Sequence, residues 1–190
     1  MIDSIPTAIP DVRVLSSRWF EDERGAFSET WNRHRSAEAG LDIDFVQDNH
    51  VVSAQKGTLR GLHFQRSPHA QAKLIRVLRG AIFDVALDIR KGSPWFGRWV
   101  GVELSASNRL QLFVPAGFAH GYVTLEDQTE VLYKVDDYWS KDDEGGLPWN
   151  DPDLAIDWPE LAEPPVVAAR DGVFPRFADF ETPFVWTPPS

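Results

Sequence analysis

Lys73-Leu-Ile-Arg-Val-Leu-Arg-Gly-Ala-Ile-Phe-Asp-Val-Ala-Leu-Asp-Ile-Arg90 decides the fold class. After Gly80, the residues Phe83, Val85, Leu87 and Ile89 share one parity, and Asp84, Ala86, Asp88 and Arg90 share the other. A period of two is that of a β-strand, whose successive side chains point to opposite faces. Gly80 stands where a hairpin turn or bulge would separate this strand from Lys73–Leu78. Working outward, residues 109–114 end at the turn signal Pro115-Ala-Gly117. Residues 129–138 alternate again, with Val131, Tyr133 and Val135 against Leu132 and Lys134. Helix signals are thin: residues 31–39 read as one short helix stopped by Gly40, a residue suited to a left-handed C-terminal position. Many short strands punctuated by Gly and Pro predict an all-β sandwich or barrel with a few short helices.

The 190 residues predict one domain, 1–190, large enough to bury a core without disulfide or metal staples. With 43% hydrophobic and 25% charged residues the chain reads as globular and not disordered. The net charge of -10 is unevenly spread. Residues 1–125 carry 15 basic and 13 acidic side chains, whereas residues 126–190 carry 4 and 16. This balance, with no Lys/Arg run, argues against nucleic acid or an anionic membrane surface as a partner. Zero cysteines exclude a disulfide framework, a thiol nucleophile and a thiolate metal site. No apolar stretch approaches the ~18 residues of a membrane span, and Met1-Ile-Asp-Ser4 lacks a leader pattern, so a cytoplasmic location is expected. The last 44 residues hold 9 of the 14 prolines together with Trp149, Trp158 and Trp186, and residues 147–190 therefore read as an ordered wrap on the core.

Of five histidines, His63 lies in Leu59-Arg-Gly-Leu-His-Phe-Gln65, directly before a basic strand carrying Lys73, Arg76 and Arg79. An inward His flanked by Arg and Lys is an unusual core choice, because burying charge without partners is expensive. It reads as a proton-transfer site with cations aimed at a developing anion. Spacing alone is equally satisfied by a structural His beside solvated arginines. Strict alternation puts Arg60 and His63 on opposite faces, so a shared site requires a turn or bulge between them. His120, in Pro115-Ala-Gly-Phe-Ala-His-Gly121, opens another strand. Two histidines on separate strands could bind a metal, but Gln65 and Lys73 stand where a second His and a carboxylate would be wanted. No metal is expected.

Six ordered blocks carry a resemblance: Phe20-Glu-Asp-Glu-Arg-Gly-Ala-Phe27, Phe45-Val-Gln-Asp-Asn49, Leu59–Gln65, Pro115–Gly121, Leu132-Tyr-Lys134 and Trp149-Asn-Asp-Pro152. Together they closely resemble the dTDP-4-dehydrorhamnose 3,5-epimerase family over roughly residues 5–172. The resemblance implies a cupin-type jelly-roll β-sandwich that works without metal or cofactor, as a homodimer. It implies a dTDP-4-keto-6-deoxyhexose substrate, epimerised at carbons 3 and 5 of dTDP-4-dehydro-6-deoxy-D-glucose to give dTDP-4-dehydro-L-rhamnose. Alternatives are a mono-epimerase at carbon 3 or 5, a metallo-cupin oxygenase, and a non-catalytic nucleotide-sugar binding module.

Carbons 3 and 5 flank the 4-ketone, so their protons become acidic once an enolate can form. By resemblance, His63 is the base, since an unperturbed imidazole is largely neutral near pH 7. Asp171, in Ala169-Arg-Asp171, is its carboxylate partner, Tyr133 the opposite-face acid and Lys73 the enolate stabiliser, with Arg60 near the sugar or phosphates. Arg24, in the Asp22–Gly25 turn, resembles a diphosphate ligand. Glu29, Gln47, Asn49, His120, Glu144 and Arg170 match nucleotide- and sugar-contact positions. The family typically has a Tyr pair, one member stacking on thymine, where this chain has Tyr138-Trp139, so Trp139 keeps an aromatic face. Arg170 stands where Lys is frequent, which retains the charge in a different geometry. The resemblance also implies that the N-terminal strand region, near Arg24 and Glu29, crosses to complete the other subunit's site.

Overall fold

Lys73–Arg79 and Ala81–Asp88 are both strands, but they do not pair with each other. Gly80, at φ +77°, turns the chain from one sheet into the other, so the expected hairpin is a crossing between layers. A Cβ at Gly80 would collide with the side chain of Thr129, which leaves the position to glycine on both conformational and steric grounds.

The structure is a computed structural model that describes residues 2–188, so the last two residues of the expected wrap lie outside the described residues. In chain order the first strands are β1 (Ile2–Pro6), β2 (Arg13–Ser17), β3 (Phe20–Asp22), β4 (Gly25–Phe27), β5 (Gln47–Ser53), β6 (Thr58–Gln65), β7 (Lys73–Arg79) and β8 (Ala81–Asp88). They continue as β9 (Arg90–Lys91), β10 (Trp99–Ser105), β11 (Leu110–Val114), β12 (Phe118–Thr124), β13 (Thr129–Val135), β14 (Glu144–Gly146), β15 (Val166–Val167) and β16 (Phe184–Val185). The helix α1 (Arg33–Glu38) is capped by the Asn32 side chain, which accepts from the Arg35 N–H at 3.2 Å. It falls inside the expected 31–39.

One sheet runs β1-β2-β11-β7-β13-β5 and the other β10-β8-β12-β6-β14, with β15 added in parallel to β6. The two face each other as a cupin-type jelly roll. Between them lies a core that includes Val14, Ile75, Val77, Ile82, Ala86, Leu104, Leu112 and Val131. Each fully buried Leu, Ile or Val side chain stabilises the fold by about 1.5–3 kcal/mol.

The outer faces are covered too, which explains why β8 is buried on both sides. Val85, Leu87 and Ile89 pack with Leu62, Phe64 and Leu147 beneath the C-terminal segment, whose Trp158, Phe177, Phe180 and Phe184 close over them. Asp151, fully enclosed, accepts backbone N–H groups from Asp153 at 2.9 Å and Phe177 at 2.8 Å, and so ties two turns of that segment together. On the other sheet Leu15, Leu74 and Phe113 are covered by Trp31, Ile43 and Phe45. With apolar packing outside the β8–β12–β6 layer, its opposite parity is free to carry polar groups inward.

Candidate active site

A cavity of about 620 Å³ opens between the two sheets. Its polar lining comes from both layers, because the inward parity of several strands is polar at this end of the sandwich. Among the residues singled out from the sequence, His63, Arg60 and His120 come from β6 and β12, and Lys73, Tyr133, Gln47 and Asn49 from the facing sheet. Trp139, Glu144, Arg170 and Asp171 line it from the later segments.

Arg60 and His63 share the cavity through an irregularity in β6. His63 pairs with His120 and Arg60 with Tyr122, so two residues on β6, Gly61 and Leu62, oppose the single Gly121 of β12. Gly61 takes φ +132°, and a Cβ there would stand 2.5 Å from the Gly121 Cα. The extra residue inverts the parity and turns both side chains inward. This is the bulge that a shared site requires.

His63 Nε2 lies 2.7 Å from Asp171 Oδ1. Asp171 is 2% exposed, on a 3-10 turn Ala169–Gly172 that follows β15, and the Gly61 N–H reaches its other oxygen at 3.4 Å. Burial alone would raise this carboxyl, but the His63 hydrogen bond and charge, the Gly61 N–H and Arg170 together hold it below the usual carboxylate range. The Phe174 ring stands edge-on to the imidazole, with centroids 5.9 Å apart. The carboxylate therefore orients the ring and leaves Nδ1 as the nitrogen available for proton exchange.

Lys73 Nζ donates to Gln71 Oε1 at 2.9 Å. Burial lowers its ammonium to about 8, against the raising effect of Asp136 and Glu144. Tyr133 is raised by burial and by Glu144, with Arg60 and Arg170 opposing, so it is a protonated phenol near neutrality. Arg60, the cross-strand neighbour of Tyr122, lines the same cavity as both phenols, and its charge opposes the rise of each. Arg170 donates to Glu144 at 3.2 Å and stands 3.6 Å from Asp171. At the mouth, Gln47 Nε2 donates to Asn49 Oδ1 at 2.9 Å, and Trp139 is 54% exposed beside them.

Arg24 and Glu29 do not line this cavity. Arg24 is held by Asp22 at 2.6 Å at the tip of the β3–β4 hairpin, and Glu29 accepts from Arg35 at 3.0 Å. The hairpin leaves Phe20 and Phe27 exposed, at 53% and 70%.

Two residues that escaped the sequence reading flank this site, Tyr122 on the cavity wall and Asp84 behind it. Asp84, fully buried, lies 2.6 Å from His120 Nε2, so a second histidine–carboxylate pair stands beside the first. Burial raises the Asp84 carboxyl, and His120 opposes this. Tyr122, 4% exposed, is the other. The polar parity of 81–90 was the available signal for Asp84, and its position next to Gly121 the only one for Tyr122. Among the described residues no group of three His, Asp or Glu side chains is arranged to hold a metal ion.

The arrangement can remove a proton from one face of a flat, electron-poor carbon skeleton and return one to the other. The imidazole and the phenol enter from opposite sheets, with Lys73 and Arg60 available to an oxygen that gains charge between them.

Residues 6–179 match the family model described as dTDP-4-dehydrorhamnose 3,5-epimerase. The chain is 51% identical over 176 residues to the dTDP-4-dehydrorhamnose 3,5-epimerase of Salmonella typhimurium, covering 92% of this chain and 95% of that protein. Among solved structures, the Bacillus anthracis dTDP-4-dehydrorhamnose 3,5-epimerase with TDP and PPi bound superposes with a TM-score of 0.89 at 47% identity, covering 93% of this chain and 100% of that one. The Legionella pneumophila dTDP-6-deoxy-D-glucose-3,5-epimerase in complex with dTDP-4-keto-L-rhamnose superposes with a TM-score of 0.90 at 42% identity and 95% coverage of both chains.

Proposed function

The chain belongs to the dTDP-4-dehydrorhamnose 3,5-epimerase family, and from that membership we propose that it epimerises carbons 3 and 5 of dTDP-4-dehydro-6-deoxy-D-glucose to give dTDP-4-dehydro-L-rhamnose. The observation that carries the reading is the opposition of His63, with Asp171 behind it, to Tyr133 across the cavity. His63 takes the proton from a carbon next to the 4-ketone, and the electron pair moves onto the ketone oxygen. Lys73 and Arg60 steady that enolate oxygen. Tyr133 gives its phenolic proton to the same carbon from the opposite face, and the configuration inverts. The ketone itself is the electron sink, so the step draws on no cofactor.

Trp139 offers its ring face to the base, while Gln47, Asn49, His120, Glu144 and Arg170 contact sugar and nucleotide. The enzyme works as a homodimer in the cytoplasm, in which the β3–β4 hairpin carries Arg24 and Glu29 to the diphosphate end of the partner's cavity. The exposure of Phe20, Phe27 and the Arg24 side chain supports this reading, since the hairpin packs little against its own core. The domain spans residues 1–190, its Pro-rich wrap completing the site.

Incubation with the substrate in deuterated water tests the proposal. Deuterium at both carbon 3 and carbon 5 is expected, and activity persisting after dialysis against a chelator. Label at one carbon only would replace double epimerisation by mono-epimerisation, and no label at all would make the site a binding module.

A further inference from the structure

Asp84, His120, His63 and Asp171 form a row across one sheet, carried by β8, β12, β6 and the 3-10 turn after β15. His120 and His63 are direct cross-strand partners, and both line the cavity. Each imidazole turns Nε2 to a carboxylate at its own end of the row, His120 to Asp84 at 2.6 Å and His63 to Asp171 at 2.7 Å. Each is left with Nδ1 to offer a substrate. The two pairs look alike, but their carboxylates are held differently.

Asp171 has support beyond its histidine. The Gly61 N–H reaches one of its oxygens at 3.4 Å, and the Arg170 guanidinium stands 3.6 Å from the other. It can carry a full negative charge beside a neutral imidazole, which donates from Nε2 and keeps Nδ1 bare, as a base requires. Asp84 has no such support. It is fully buried, its Oδ2 has no hydrogen-bond partner among the described residues, and His120 is its one hydrogen-bond partner there. Arg60 lies two strands away, roughly 10 Å by backbone spacing, and the intervening Tyr122 is a neutral phenol raised by burial.

A buried carboxylate without a counter-charge is expensive, so the Asp84–His120 pair retains a proton and is neutral as a whole. Burial pushes the Asp84 carboxyl up, in the same direction. The proton between the two sits on Nε2, making an imidazolium and a carboxylate, or on Oδ1, making an imidazole and a carboxylic acid. In both arrangements Nδ1 carries a proton of its own.

We propose that Asp84 is a positioning residue that fixes His120 as a standing N–H donor, opposite in state to the base His63 beside it. The donor serves a substrate oxygen that carries or gains negative charge, and it rests on the reaction above for what it meets: the enolate oxygen or a diphosphate oxygen. The Nδ1 proton is shared with that oxygen and is not transferred. A donor already in place where negative charge sits or develops acts without reorganisation. Of two adjacent histidine–carboxylate pairs, one takes a proton and the other keeps its own.

The first test needs no variant to fold. With histidine labelled with 15N, nitrogen spectra of the substrate-free protein are read at about pH 8, above the ordinary imidazole midpoint of ~6.5. The chain has five histidines, and His63→Gln and His120→Gln assign the two that matter. Nδ1 of His120 should be protonated and Nδ1 of His63 bare. A bare Nδ1 on His120 overturns the proposal. In Asp84→Asn the His120 Nδ1 should lose full protonation at that pH, and kcat/KM should fall about tenfold, the size expected for a hydrogen bond to a charged group. Unchanged dTDP affinity then identifies the enolate oxygen as the partner, and weakened dTDP binding identifies the diphosphate. In a His120→Gln background the Asp84 change should have no further effect on kcat/KM. An equal loss there, or an Asp84→Asn enzyme that keeps both its rate and the Nδ1 proton, overturns the positioning role. If no substrate proton exchanges with solvent, it is the epimerase reading that fails, and the protonated Nδ1 of the free protein still reports the state of the pair.

Discussion

His63 Nε2 and Asp171 Oδ1 meet at 2.7 Å although 108 positions of chain separate them. His63 sits within β6, and Asp171 is brought to it by β15, the parallel neighbour of β6, and the 3-10 turn after it. Asp171→Asn should keep the shape but lose the orienting charge, lowering kcat by ~10²–10⁴ with dTDP affinity nearly unchanged. His63→Ala should abolish turnover and also leave dTDP bound. Isothermal titration beside steady-state kinetics checks both. The pH dependence has a defined sign. The folded carboxyl is held below its ordinary 3.8, so its stabilisation is full above that value and is lost as pH falls through the lower folded pKa. The stability gap between wild type and Asp171→Asn, measured by denaturant unfolding, should close in acid below about pH 4.

Lys73 gives an alkaline signature. As pH rises through about 8 its ammonium loses the proton that steadies the enolate, so kcat/KM should fall with a midpoint near that value. Lys73→Arg stays charged and should push that limb upward, while its planar fork lowers the rate at neutral pH. Folding responds in the opposite sense. Burial disfavours the charged form, so the unfolded chain binds more protons between about 8 and 10.5, and stability should rise across that interval in wild type but not in Lys73→Met.

Gly61→Ala attacks the geometry and not the chemistry. At φ +132°, with 2.5 Å to the Gly121 Cα, the added methyl meets backbone that has nowhere to go. Destabilisation of about 3 kcal/mol is expected from unfolding curves. Any folded fraction should be nearly inactive, because Arg60 and His63 lose their common face. Retained activity would separate the bulge from the site.

Mixed dimers test the hairpin. Arg24→Ala and His63→Ala are each expected to be poor catalysts alone. Refolded together in equal amounts, half of the dimers are mixed, and each carries one site with neither substitution, so about a quarter of wild-type activity should return. Activity no greater than the mean of the parents would put Arg24 at its own subunit's cavity or at none.

The strands within 81–90 and 129–138 were legible because their residues alternate, that of 109–114 through the turn signal that ends it, and His63, Lys73 and Tyr133 were legible through the motifs around them. The pairing at Gly80 was not. A glycine at a turn looks the same whether the chain folds back or crosses between layers. Asp84 stayed hidden because alternation normally assigns the polar parity to solvent. Here the apolar parity of β8 lies under the C-terminal segment and the polar one faces inward. Arg60 could be reconciled with His63 only through a bulge, whose place spacing does not reveal.

The C-terminal wrap also ties catalytic competence to complete synthesis. Arg60, His63, Lys73, His120 and Tyr133 all lie on strands that are made before the segment bearing Asp171. A chain interrupted ahead of that segment would carry an imidazole without its carboxylate and would leave Val85, Leu87 and Ile89 uncovered on the outer sheet face. Such a fragment would be inert, and its exposed apolar surface would mark it for chaperones and proteases. One stretch of sequence thus makes an unfinished molecule both harmless and conspicuous, a form of quality control that needs no separate sensor.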